Sequence, residues 1–303
     1  MSQHTGGGGI GRRLRAAFTD AGVTGWLHAV DLDRPAAQVG VGADRLVATA
    51  SMFKIAVALT LFRVADAGGV DPAEAVTLRP EERSGGTTGV GAMLDAATLS
   101  LRDLAFLAIT LSDNGAADAL LDRLGLAEVN RTLTDLGLTR TAVVHHCRDL
   151  AALMAADAGV ADGAALAPLL ADPVVLARLR VLDPALTNRS TPREITRLLA
   201  AIWRDEAASA DSCAALRRLL GLQVWPHRLA SGFPFDDVRV SGKTGTLPTI
   251  RNEAGVVEYP DGGRYAVAVF TRSASTAFTL PAADAVIGTT ARLAVEHLRA
   301  SRA

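Results

Sequence analysis

The sequence has little of what several classes of protein depend on. Aromatic residues make up 4% of its 303 residues, which disfavours a surface that stacks nucleic-acid bases. The formal net charge is −1, so there is no basic footprint for nucleic acid or for an anionic membrane. No apolar run reaches the roughly 18–20 residues that a membrane-spanning helix needs. We therefore expect neither nucleic acid nor a membrane as a partner.

Cysteine is also scarce, with Cys147 and Cys213 the only two in the chain. Their spacing fits no metal-ligand pattern, so we expect buried free thiols. Residues 1–9 are polar and glycine-rich, which is typical of a flexible tail. Arg12-Arg13 precedes a stretch too short and too charged for the apolar core of an export signal. These features predict a cytoplasmic protein.

Lysine is the rarest cation: Lys54 and Lys243 stand against 29 arginines among the 31 basic residues. Arginine stays protonated at any accessible pH, whereas a buried lysine can lose its proton and act as a base. Coding bias explains the low number of lysines. It does not explain why both fall in short motifs, Ser51-Met52-Phe53-Lys54 and Lys243-Thr244-Gly245. This placement indicates amine chemistry at both positions.

The predicted strands lie near both ends of the chain, over residues 26–32, 37–41, 238–241, 255–259 and 265–271. We predict an α+β fold in which residues 10–48 and 225–303 form a five-stranded antiparallel sheet flanked by helices. Residues 49–224 are expected to form an all-α lobe within the same catalytic domain. The site should lie in the cleft between the two lobes.

Helices are predicted over residues 11–21, 51–67, 99–111, 114–124, 192–207 and 281–299. Ser100 and Thr191 are candidate N-caps for two of them. Residues 147–182 are helical in composition, with breaks around residues 159–163 and at Pro173.

Ser51 and Lys54 lie three residues apart at the start of a predicted helix, so they share one face. The positive end of the helix dipole stabilises an anion that develops on Ser51. Burial lowers the pKa of a lysine and makes it a possible base for the neighbouring hydroxyl. Taken alone, the motif is better explained by an ordinary solvated helix face.

Two further motifs carry polar side chains. Ser112-Asp113-Asn114 falls between two predicted helices, where a hydroxyl, a structural carboxylate and an amide can face one cavity. A helix cap is the simpler explanation of that motif. In Lys243-Thr244-Gly245, the glycine lets a ligand lie against a strand edge while Lys and Thr donate to an anion. An exposed strand is the simpler explanation there.

The three motifs together are specific. Their order, with separations of about 58 and then about 129 residues, resembles that of the penicillin-recognising serine enzymes, most closely class A β-lactamases. The similarity extends to Leu101-Arg102-Asp103-Leu104, to Ser190-Thr191-Pro192 and to Gly242-Lys243-Thr244-Gly245-Thr246. It covers roughly Trp26 to the carboxyl terminus and implies the β-lactamase/transpeptidase-like fold.

The resemblance implies catalytic roles. Ser51 would be the nucleophile that becomes acylated, and Lys54 would lose its proton to activate it. Ser112 would relay a proton to the leaving nitrogen, tuned by Lys243, which is expected to stay charged. The backbone N–H groups of Ser51 and Thr246 would form the oxyanion hole.

The resemblance also implies a substrate site. Asn114 would hold the side-chain amide of the substrate. A substrate carboxylate would be bound along the third motif by Thr244, Gly245 and Thr246. Arg251 lies close to where the family often places a carboxylate-binding arginine, although a surface strand position also explains it.

One part of the family pattern is missing. Class A β-lactamases carry Glu-x-x-Leu-Asn between the second and third motifs, and its Glu activates the water that releases the acyl group. This chain has no such segment; the region contains His146 and Asp149 and leads into a helical insertion over residues 147–187. Three alternatives stay open: His146 or Asp149 replaces the Glu, Lys54 serves both steps, or an amine or alcohol accepts the acyl group.

The sequence therefore predicts a serine hydrolase that forms an acyl-enzyme at Ser51, most simply one that hydrolyses β-lactams. A cytoplasmic biosynthetic acyltransferase, amidase or esterase of the same fold is one alternative. A sensor that a β-lactam acylates without turnover is another. The expected partner is a small molecule with an amide or ester and a carboxylate, and neither metal nor cofactor is expected.

Overall fold

The computed structural model describes residues 7–161, 165–277 and 279–302. Its α-helices are α1 (Gly7–Asp20), α2 (Lys54–Asp66), α3 (Leu101–Thr110), α4 (Asn114–Leu124), α5 (Leu126–Asp135), α6 (Cys147–Ala158), α7 (Pro173–Arg178), α8 (Pro192–Trp203), α9 (Ala210–Gly221) and α10 (Pro281–Ala300). In these described ranges, no helix combines the length and apolar character needed to cross a membrane. The predicted tail lies outside the described residues up to residue 6, and α1 begins at Gly7.

The main sheet has the order β2-β1-β9-β8-β7, with every neighbouring pair antiparallel. Its strands are β1 (Val23–Asp31), β2 (Gln38–Val41), β7 (Arg239–Leu247), β8 (Ile250–Glu258) and β9 (Arg264–Ser273). Short two-residue and four-residue strands pair elsewhere as β3 (Val47–Ala48) with β6 (Arg189–Ser190), and β4 (Ala75–Leu78) with β5 (Ala97–Ser100). The predicted α+β class and five-stranded antiparallel sheet are confirmed, and β7, which carries the third motif, is an edge strand.

Successive side chains of the main sheet point to opposite faces, and those on each face pack with helices in an apolar cluster. On one face, α1 and α10 contribute Leu14, Phe18 and Val295. On the other face, Phe270 joins a larger cluster that includes Leu199 of α8 and continues through α2, α3 and α4. The core thus runs from the sheet into the helical region, and the predicted lobe boundaries stay a prediction.

The region between the second and third motifs is only partly helical. The predicted break near Gly159 is confirmed: α6 ends there with a φ of 71°, a left-handed conformation that favours glycine. The chain also breaks at Pro173, as predicted: a 3-10 turn ends at Ala171, and Pro173 begins α7. The Asp172 carboxylate caps this helix by accepting from the N–H of Val174. Part of the predicted break, residues 162–164, lies outside the described residues.

Candidate active site

Ser51 lies, half-buried, in a 3-10 turn (Ala50–Phe53) that leads directly into α2. Ala50, just before it, has a φ of 48°, which residues other than glycine rarely adopt. The segment just before the Ser51 turn is held to β8, because the side-chain amide of Asn252 on that strand donates to the carbonyl of Ala48 at 3.0 Å. Strained backbone braced by neighbouring structure is a common feature of catalytic sites.

Lys54 joins the first motif to the second. Its side chain is fully buried, and its Nζ donates to the backbone carbonyl of Ser112 at 2.6 Å and to Oδ1 of Asn114 at 2.8 Å. The hydroxyl of Ser112 is 3.5 Å from the same amine. Ser112 has a φ of 63°, so it too is held in an uncommon conformation. The first and second motifs therefore meet at this amine.

Asp113, between Ser112 and Asn114, has a structural role. Its Oδ1 accepts from the N–H of Ala116 at 3.2 Å and caps α4, while its Oδ2 accepts from the N–H of Val90 at 2.6 Å. A Cβ on Gly89 would lie 2.0 Å from that same Oδ2. The segment that contains Gly89 and Val90 is thus packed closely against the second motif.

The third motif runs alongside the Ser51 turn. A Cβ on Gly245 would lie 2.5 Å from the carbonyl oxygen of Thr49, so only glycine allows this approach. The N–H of Thr244 points away from β8 and donates to the side chain of Gln223 at 2.7 Å. Because strand residues two apart point the same way, the N–H of Thr246 also faces away from the sheet. That direction fits the oxyanion role that the resemblance implies.

Both lysine amines are buried, which penalises their charged forms. Burial lowers the pKa of Lys54, although the carboxylates of Asp113 and Asp118 oppose the shift. The pKa of Lys243 is lowered well below its ordinary value by burial and by repulsion from Lys54. Within the described residues, the Nζ of Lys243 donates to one acceptor, the carbonyl of Thr244 at 2.9 Å. Fewer hydrogen bonds therefore stabilise its ammonium form than stabilise that of Lys54. The resemblance implies that Lys54 loses its proton while Lys243 stays charged. Burial lowers the pKa of both lysines, so their burial does not account for that difference.

A buried arginine that the sequence reasoning missed also reaches the third motif. Arg228 donates to the hydroxyl of Thr246 at 2.9 Å and pairs with Asp284 at 2.7 Å. Arg251, the predicted carboxylate ligand, instead uses its guanidinium to brace nearby backbone. It donates to the carbonyls of Leu247, Ile250 and Ala277. The binding role of Arg251 stays a prediction; Arg228 belongs to no motif, and only the folded contacts reveal it.

The two candidate deacylation bases lie at the start of α6. His146 is its N-cap, and Asp149 accepts from the N–H of His146 at 2.9 Å. The ring of His146 lies 3.1 Å from Asp149 through Nδ1 and 3.3 Å from Asp122 through Nε2. Within the described ranges, no hydrogen bond links either side chain to the three motifs. Their catalytic role stays a prediction, while their geometry gives them a capping role.

Cys147 lies between them, and its thiol is free and buried, as predicted. Burial raises the pKa of this thiol to about 12, although the charges of Lys54 and Lys243 act against the shift. Its backbone N–H donates to Oδ1 of Asp118 at 2.6 Å, and the N–H of Arg148 donates to Oδ2 at 2.9 Å.

Replacing Asp118 by alanine is expected to lower the free energy of unfolding by more than about 2 kcal/mol, because the buried N–H of Cys147 and the part-buried N–H of Arg148 would lose their acceptor. Urea unfolding followed by circular dichroism measures this change. Asp122→Ala is the matched control, since its exposed carboxylate pairs with Arg148 at the surface and should cost at most about 1 kcal/mol. Equal destabilisation by the two variants would contradict the assigned role of Asp118.

Comparison with known proteins agrees with this geometry. The β-lactamase enzyme family matches residues 10–298. A relative named β-lactamase regulatory protein BlaB, from Streptomyces cacaoi, is 33% identical over 304 residues, which covers 95% of this chain and 97% of the relative.

Solved structures show the same fold. A β-lactamase from Sphaerobacter thermophilus is 26% identical, with a TM-score of 0.77 over 97% of this chain and 98% of its own. The structure of PBP-A is 22% identical, with a TM-score of 0.77 over 96% of each chain, and supports the fold alone. The resemblance that the three motifs predicted is confirmed: this chain belongs to the β-lactamase enzyme family.

Proposed function

We propose that β-lactams acylate this protein at Ser51, that the acyl group is released slowly, and that the protein works as a β-lactam sensor. The observation that carries the proposal is an imbalance within the site. Lys54, three residues after Ser51, donates to the backbone of Ser112 and to the side chain of Asn114, and it lies 3.5 Å from the Ser112 hydroxyl. The side chains expected to supply a deacylation base, His146 and Asp149, are instead engaged in capping α6.

Acylation needs a base, a proton relay and an oxyanion site. In the proposed step, neutral Lys54 takes the proton of Ser51 as its Oγ bonds to the carbonyl carbon of the β-lactam. The N–H groups of Ser51 and Thr246 stabilise the oxyanion. The ring C–N bond then breaks, and the nitrogen takes the proton of Ser112. Lys54, whose Nζ is 3.5 Å from that hydroxyl, returns a proton to Ser112 and becomes neutral again.

The substrate carboxylate would bind along β7. Arg228 supplies a buried guanidinium that already holds the hydroxyl of Thr246. An anion placed there would also favour the ammonium form of Lys243, whose pKa is lowered by burial. We therefore include Arg228 with Thr244 and Thr246 in the proposed carboxylate site.

Slow release is supported by the site and by one relative. A protein that stays acylated can report the presence of a β-lactam, whereas a hydrolase removes it. The word "regulatory" in the name of the Streptomyces cacaoi relative agrees with such a role. The cytoplasmic location expected from the sequence stays part of the proposal.

The test is to mix the protein with benzylpenicillin and follow its intact mass. We expect one penicillin adduct on the wild-type protein that persists, and none on Ser51→Ala. A chromogenic cephalosporin should give about one equivalent of product per protein. Continuous turnover would favour the β-lactam hydrolase predicted first. Absence of both adduct and turnover would reject the proposal and favour an acyltransferase, amidase or esterase of the same fold.

A further inference from the structure

We propose that Gln223 and Glu253 are positioning residues for acylation, because together they hold both walls of the proposed carboxylate site. One wall is the edge of β7, and the other is the segment that carries Arg228. The inference rests on the proposed function, since it concerns the binding of the same carboxylate-bearing substrate. Neither residue belongs to one of the three motifs.

Gln223 is bonded to the edge of β7 that faces away from β8. Its Oε1 accepts from the backbone N–H of Thr244 at 2.7 Å. The next residue, Val224, donates its own N–H to the carbonyl of Thr110 at 3.2 Å, just before Ser112 in the chain. This short segment therefore connects the strand of the third motif to the residues that lead into the second.

Glu253 fixes the orientation of the Gln223 side chain. It lies on β8 directly opposite Thr244 and is 1% exposed. Its Oε1 accepts from Nε2 of Gln223 at 2.6 Å. A carboxylate can only accept hydrogen bonds, whereas an amide offers donors at its nitrogen and an acceptor at its oxygen. The carboxylate therefore binds the amide nitrogen and leaves the amide oxygen for the N–H of Thr244.

The other oxygen of Glu253 holds the arginine segment. Its Oε2 accepts from the backbone N–H of Leu229 at 2.6 Å. Leu229 directly follows Arg228, whose guanidinium donates to the hydroxyl of Thr246 at 2.9 Å. One buried carboxylate thus fixes the edge of β7 through Gln223 and the backbone beside the arginine directly.

These hydrogen bonds need the ionised form of Glu253. Burial raises the pKa of its carboxyl to about 7. The hydrogen bonds from its two donors act against this shift, as do the charges of Arg228 and Lys243. The carboxylate is therefore mostly ionised at pH 8, and the variants are compared at that pH.

Two substitutions loosen this arrangement without removing a group that reacts. Glu253→Gln keeps the shape of the side chain but replaces one acceptor oxygen with an amide group that donates. Either Gln223 or the N–H of Leu229 would then face another donor. Gln223→Met keeps a similar length and leaves the N–H of Thr244 without its acceptor.

The test compares acylation by benzylpenicillin with acylation by its methyl ester, which has no free carboxylate. Rates of adduct formation are measured by intact mass, with circular dichroism to show that each variant is folded. We expect each variant to lose about 10-fold or more with benzylpenicillin and less than about 3-fold with the ester, because the ester does not use the carboxylate site. Gln38→Met, the same exchange on the opposite edge strand β2, should leave both rates close to those of the wild type.

A second arm uses the free protein and does not depend on acylation. Hydrogen exchange at the N–H of Thr244, followed by NMR, reports its bond to Gln223. We expect this exchange to be at least about 10-fold faster in Glu253→Gln and in Gln223→Met than in the wild type.

The outcomes separate the inference from the proposed function. Equal losses with benzylpenicillin and with its ester would assign Gln223 and Glu253 a structural role alone and overturn the inference. Unchanged exchange at Thr244 in both variants would overturn it as well, whether or not the protein is acylated. Failure of the wild-type protein to form any adduct would instead reject the proposed function.

Discussion

Lys54→Arg is expected to slow acylation by benzylpenicillin at least about 100-fold, although it keeps a positive charge at this position. The reason is that arginine does not lose its proton, and the proposed step needs a neutral base beside Ser51. Lys54→Met, which removes the charge as well, should lose as much. The rate of adduct formation measured by intact mass checks both variants, with circular dichroism to show that they are folded.

If Lys54 acted only through its charge, the Arg variant would keep much of the wild-type rate and the Met variant would not. The two substitutions therefore separate a base from an electrostatic role. A rate near that of the wild type in Lys54→Arg would contradict the mechanism.

The same mechanism predicts the pH dependence of acylation. Burial lowers the folded-state pKa of Lys54 below the ordinary value of 10.5, while Cys147, Asp113 and Asp118 act against that shift. Below the lowered pKa the amine is protonated and inactive, and above it the amine is neutral. Acylation should therefore become faster as pH rises and reach its plateau below pH 10.5.

Gly245→Val is expected to have the second large effect. Its Cβ would lie 2.5 Å from the carbonyl oxygen of Thr49, a backbone atom next to the Ser51 turn. Neither the turn nor β7 can move without separating the nucleophile from the oxyanion site. A misplacement of about 1 Å can cost about 100-fold in rate, and we expect a loss of acylation of at least that size.

Gly85→Ala is the matched control, because a Cβ there would meet no atom within 4 Å. It should be acylated at close to the wild-type rate. Wild-type acylation of Gly245→Val would show that the close approach of β7 is not needed for catalysis.

Local signals predicted much of the fold. The bounds predicted for α4 are those observed, and Ser100 and Thr191 cap α3 and α8 by accepting from backbone N–H groups, as predicted. Each of these features depends on residues close together in the chain. The pairing of strands from both ends of the chain was also predictable, because their alternating apolar residues need one shared core.

Features that depend on distant contacts were not predictable. The strand β7 runs from Arg239 to Leu247, well beyond the predicted residues 238–241, because pairing with β8 extends it through the motif despite its glycines. Ser51 lies in a 3-10 turn and not in the predicted helix. Arg228 joins the site only through contacts made in the folded protein.

The most direct test of the central claim compares two rate constants in one wild-type sample: formation of the benzylpenicillin adduct and its loss. A peptide digest should place the adduct on Ser51. We predict that loss is at least about 100-fold slower than formation, because the two candidate deacylation bases, His146 and Asp149, are engaged in capping α6. Loss as fast as formation, with penicilloic acid accumulating over many turnovers, would contradict it.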